Sequence, residues 1–97
     1  MSLERLIKIT EKRVKELEEQ CIIVTPKGLY KIVSSYPLGS GTMVCVKESD
    51  EEGNTYNDAK LFHVYNSNKD NKEYTILAFG DYAWLKPYLK KFLEKQK

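Results

Sequence analysis

The residues Thr25-Pro26-Lys27-Gly28 stand between two β-branched-rich runs, Ile22–Thr25 and Leu29–Ser34. Proline presets the φ needed at the second position of a type I turn. Glycine can take the left-handed conformation that closes such a hairpin with a bulge. An antiparallel pair is thus specified early in the chain, and the later segments must extend it or cover it. Further strands are expected at Thr42–Lys47, Tyr56–Tyr65 and Glu73–Phe79, with a short one at Tyr82–Leu85. In Tyr56–Tyr65 the alternation puts Ala59, Leu61, His63 and Tyr65 on one face and Lys60, Phe62 and Val64 on the other. The stretch from Ser34 to Gly41 reads as a loop, as do Glu48 to Asn54 and Asn66 to Lys72.

A helix is expected at each end. Leu3, Leu6, Ile7, Thr10, Val14, Leu17 and Cys21 fall on one helical stripe, which predicts a helix over 3–20 with Ser2 as its cap. Its one apolar face must dock, either on the domain's own sheet or on a second copy. Pro87 suits the first turn of a terminal helix over 87–97, with Tyr88, Leu89, Phe92 and Leu93 on its apolar side. The fold class is therefore α+β: a small, strongly bent antiparallel sheet or barrel of five or six short strands, flanked by an N-terminal and a C-terminal helix. At 97 residues the chain suits one domain, with 1–20 as helix, 21–85 as the β core and 87–97 as helix.

Charge is unevenly spread. The net charge is +2. Residues 47–60 carry Lys47 and Lys60 against Glu48, Asp50, Glu51, Glu52 and Asp58. Residues 82–97 carry Lys86, Lys90, Lys91, Lys95 and Lys97 against Glu94. A basic end of this kind attracts phosphates or acidic protein surfaces, or simply solvates a helix face. The two cysteines, Cys21 and Cys45, lie in apolar runs and read as reduced core residues. No signal-type apolar run, no membrane-length stretch and no glycosylation sequon occurs, so an intracellular location is expected, cytoplasmic or nuclear, with no secretion and no membrane partner.

Motifs for chemistry are missing. The loop Ser34 to Gly41 has neither the Gly-Lys-Ser/Thr ending of a phosphate loop nor a dinucleotide pattern. The one histidine, His63, sits inside an expected strand, away in sequence from either cysteine. Cys21, Cys45 and His63 lack zinc-ligand spacing, and Asp50-Glu51-Glu52-Gly53-Asn54 lacks the alternating oxygens of a calcium loop. The expectation is a non-enzymatic protein with no cofactor and no metal. The aromatics Tyr56, Phe62, Phe79, Tyr82 and Trp84 lie near strand ends and turns, where three rings around a void could hold a methylated ammonium or stack on bases. Core is the expectation for Phe62 and Trp84.

Three stretches carry a family likeness: Gly41-Thr-Met-Val-Cys-Val-Lys47, Tyr56-Asn-Asp-Ala-Lys-Leu61 and Ile76-Leu-Ala-Phe-Gly-Asp-Tyr-Ala-Trp-Leu85. Together they resemble the Tudor and PWWP branch of the Royal superfamily, over about residues 41–92. The resemblance implies an SH3-like barrel. It implies further that Tyr56, Phe79 and Tyr82 match cage aromatics, with Asp81 as the polar neighbour at the rim. The Pro-Trp-Trp-Pro signature is absent, and Val44, Cys45 and Val46 stand where the first strand of the family carries an aromatic.

The function expected is therefore a binding module that recognises a peptide or modified lysine at Tyr56, Phe79, Tyr82 and Asp81. Two alternatives remain open. One is a small structural or assembly protein forming a homodimer through helix 3–20. The other is a nucleic-acid-binding accessory protein of bacterial or phage type using Lys86, Lys90, Lys91 and Lys95.

Overall fold

The structure is a computed structural model and describes residues 9–68, 73–77 and 80–95. The order is α1 (Glu11–Glu19), β1 (Ile22–Thr25), β2 (Gly28–Leu38), β3 (Gly41–Ser49), β4 (Thr55–Asn68), β5 (Glu73–Leu77), a 3-10 segment (Gly80–Leu85) and α2 (Lys86–Lys95). The class is α+β, with one five-stranded antiparallel sheet in the order β1-β2-β3-β4-β5. The chain divides into two compact units, residues 1–33 with 46–60 and residues 34–45 with 61–97. Strands β2, β3 and β4 each contribute to both.

The first unit holds α1, and this helix is shorter than the sequence stripe predicts. Thr10 is extended (φ −71°, ψ 158°), and its hydroxyl accepts the Arg13 N–H at 3.2 Å. It is thus an N-cap, a role threonine fills by satisfying a donor that a helix start leaves unpaired. The part of the expected helix at 3–8 and its Ser2 cap lie outside the described residues. At the other end the Gln20 and Cys21 N–H groups donate to Leu17 O and Glu18 O, at 3.0 and 2.9 Å. Cys21 takes φ +65°. That is the left-handed position usually given to glycine at a helix end, and it turns the chain into β1.

Hairpin β1–β2 forms at the Pro26-Lys27 turn, with Thr25 paired to Gly28 and Val24 to Leu29. Buried Thr25 completes it: its hydroxyl donates to Gly28 O at 2.8 Å and accepts the Lys27 N–H. Gly28 has φ +142°, open to glycine. Helix α1 packs on β1, and Leu17, Ile22 and Leu29 form one buried cluster, with Ile9 and Val24 against it. Leu17 is fully buried, which stabilises by about 1.5–3 kcal/mol. The apolar stripe of α1 therefore docks on the domain's own sheet. Tyr30 and Ile32, on the opposite face of β2, are buried too.

In the second unit the expected loop from Ser34 to Gly41 is replaced by strand. Strand β2 runs on to Leu38, and only Gly39 and Ser40 turn it into β3. Gly39 has φ +61° while Ser40 does not have positive φ, the pattern of a hairpin turn with glycine at its first central position. Proline is tolerated in β2 because β1 pairs it only as far as Lys31, so the missing N–H of Pro37 removes no β1 ladder bond. Gly41 sits where a Cβ would strike Val64 O and lie 2.8 Å from Tyr65 Cβ, so the β3 backbone approaches β4 as only glycine allows.

Strands β4 and β5 pair Val64 with Ile76 and His63 with Leu77. Phe62, Val64 and Ile76 are buried, while Leu61 and Leu77 on the other face are 50% and 42% exposed. The alternation read from the sequence thus holds. Helix α2 packs on the 3-10 segment and on β5, and Leu85 and Leu89 are fully buried. The expected strand Tyr82–Leu85 is corrected to 3-10 helix. It lacks β-branched residues, Gly80 turns the chain at φ +56°, and the coil leads directly into α2.

Candidate ligand site at Tyr56

The hairpin turn places Lys27, Gly28, Leu29 and Tyr30. The ends of β3 and β4 place Glu48 and Tyr56. These six residues line one open depression of about 260 Å³, counting the solvent at its mouth, wholly within the first unit. The Tyr56 ring is 42% exposed, and its hydroxyl donates to Ser49 O at 3.4 Å. Ser49 is itself fully buried, with its hydroxyl on Asp50 O. The ring therefore stands on an anchored strand end. Asn57 takes φ +66° within β4, tolerable for asparagine, and its side-chain amide donates to the Glu48 carboxylate. An aromatic face beside an oriented carboxylate suits a cationic head group.

The adjoining loop Asp50–Asn54 is built rather than loosely solvated. The Asp50 carboxylate accepts the Glu52 and Asn54 N–H groups at 3.0 and 2.9 Å and the Asn54 side-chain amide at 3.1 Å. Desolvation pushes its pKa up. The hydrogen bonds from the Asn54 side chain and from the Asn54, Glu52 and Gly53 backbones outweigh that, and hold the carboxyl below its ordinary value. Arg13 donates to Glu51 O at 2.8 Å while bridging to Glu16, and Lys31 donates to Gly53 O at 3.3 Å.

Of the residues marked from the sequence, Tyr56 lines the depression. Tyr82 and Asp81 belong to the second unit, on the 3-10 segment, where Tyr82 stacks on Trp84 with ring centroids 6.4 Å apart. Asp81 is exposed and Trp84 half-buried. Phe79 lies outside the described residues. Lys86, Lys90 and Lys91 are exposed on α2, and Lys95 is its last residue. His63 Nε2 is 3.3 Å from Leu38 O, and its ring tilts against Tyr65. Cys21 and Cys45 are free thiols, half-buried rather than sealed in the core.

Lys27, Tyr30 and Glu48 line the depression as well, without a sequence signal that marks them. Tyr30 and Lys27 belong to a recognisable hairpin, but no local pattern says that the end of β3 lies beside its turn. Among the described residues no group of three or more His, Cys, Asp or Glu is placed to hold a metal, and no helix is long and apolar enough to cross a membrane. No protein-family model, no curated protein and no solved structure matches the chain.

Proposed function

We propose that this protein is a non-enzymatic binding module, SH3-like and Tudor-like in build, that recognises a peptide through a lysine or methylated lysine at Tyr56. The observation that carries this reading is the anchored, exposed Tyr56 ring in a depression that also contains Tyr30 and Glu48. A quaternary ammonium would lie against the ring, and the Glu48 carboxylate would oppose its charge. The Royal-type likeness of residues 41–92 agrees with this reading, which no longer depends on Tyr82 or Phe79.

The test is an NMR titration of the full chain with a short peptide carrying trimethyl-lysine, beside the same peptide unmodified. Shifts are expected at Tyr56, Tyr30 and Glu48. Tyr56→Ala should weaken binding about 2- to 30-fold, the range given by a cation–π contribution of roughly 0.5–2 kcal/mol. Unchanged affinity in a folded Tyr56→Ala variant would reject the site.

A further inference from the structure

We infer that the 3-10 segment and α2 form a second interaction surface, one that takes single-stranded nucleic acid. An acid of the helical stretch stands upstream of α2, at Asp81 in the first turn of the 3-10 segment, and α2 itself is mostly basic. A helix N-terminus carries partial positive charge and favours acids, yet α2 opens on Lys86 with no acidic residue in its first turn. Residues four apart on a helix are neighbours, and like charges there repel. Lys86 and Lys90 have that spacing, and so do Lys91 and Lys95. Glu94 follows Lys90 by four, in the less attractive order. Among the described residues no carboxylate pairs with Lys86, Lys90 or Lys91. Three exposed cations thus lie within six residues of one helix with no ion pair among the described residues.

The chemistry of the partner follows from what stands beside them. The apolar side of α2 is occupied, with Leu89 fully buried and Tyr88, Phe92 and Leu93 half-buried. A helix lying in a membrane surface would need that side free. Directly before the lysines in sequence, on the 3-10 segment against which α2 packs, the Tyr82 and Trp84 rings stack at 27° and are both half-exposed. Cations beside aromatic faces are the pairing that single strands use: phosphates meet the lysines and unstacked bases meet the rings. A duplex keeps its base faces covered. An acidic peptide would meet the lysines without using the exposed part of either ring. Asp81 and Glu94 are the acids of this stretch, and residues 80–95 remain at +2.

Trp84 is the chain's one tryptophan, so its fluorescence reports the surface directly. The full chain is titrated with a single-stranded dT12 oligonucleotide, with a duplex of the same length and with polyglutamate. Quenching by dT12 is expected, with log K falling against log salt at a slope of about −2 from the three described lysines. Lys86→Gln/Lys90→Gln/Lys91→Gln should remove that slope, whereas Lys12→Gln/Lys15→Gln on α1 should leave binding unchanged. Tyr82→Ala should weaken binding about 5- to 150-fold, from the roughly 1–3 kcal/mol of one stacked base. If that variant unfolds, quenching in the native chain still decides. Absence of Trp84 quenching at low salt overturns the inference. So does binding of duplex or polyglutamate as tight as that of dT12, which would make the helix a general cation patch or a site for acidic protein.

Discussion

Arg13 and Lys31, in the first unit, each donate to a carbonyl of the loop 50–54, and Arg13 also bridges to Glu16. Lys86, Lys90 and Lys91, in the second, face no carboxylate among the described residues. The helices differ in the same way. Helix α1 has three bases and four acids, while α2 has four bases and one acid. Arg13 and Lys31 are structural fasteners, whereas Lys86, Lys90 and Lys91 make no ion pair among the described residues. The contrast teaches that a cation answered inside the fold helps to hold a loop, while one left over is available to solvent or to a ligand.

The largest effects should come from the cores. Leu17→Ala and Leu89→Ala remove side chains that are fully buried in the first and second units respectively, and each should cost about 2–5 kcal/mol in urea denaturation. Because β2, β3 and β4 belong to both units, either substitution should lower one common transition. Two separated transitions would break the comparison into two independently folding pieces. Gly41→Ala should cost about 1–3 kcal/mol, since its methyl meets backbone and a Cβ rather than a flexible tip.

Smaller effects should mark the first unit's fasteners. Arg13→Ala should cost about 1 kcal/mol and speed amide exchange across 50–54, whereas Lys90→Ala should stay within about 0.5 kcal/mol of the parent. An equal cost for both would erase the distinction between answered and unanswered cations. Asp50 adds a pH signature. Its carboxyl is held below the ordinary value, so its contribution is complete above the unfolded pKa and is lost as pH falls through the folded one. Amide exchange at Glu52 and Asn54 should therefore rise on acidification, and Asp50→Asn should flatten that dependence.

The sequence made the hairpin at Pro26-Lys27 legible because proline fixes its own φ and glycine admits the positive φ that other residues avoid. The buried side of β4 was legible from strict alternation at Phe62 and Val64, and the terminal helix from Pro87 and its apolar side. Three readings failed for physical reasons. Thr10 fits an apolar stripe equally well as a helix interior and as a cap. Ser-Ser-Tyr-Pro-Leu carries loop-type residues, but β1 ends early and leaves Pro37 without a ladder bond to lose. Tyr82–Leu85 is apolar enough for a strand, yet the coil into α2 claims it. The depression at Tyr56 was half legible: its ring could be marked, but the turn of β1–β2 beside it is a long-range fact.

Each compact unit is stitched from two distant stretches of chain, 1–33 with 46–60 and 34–45 with 61–97. No single break in the gene could release either as a contiguous module. A single crossover can thus pass neither unit on alone, and residues 1–33 must be inherited with residues 46–60 for the first to stay whole.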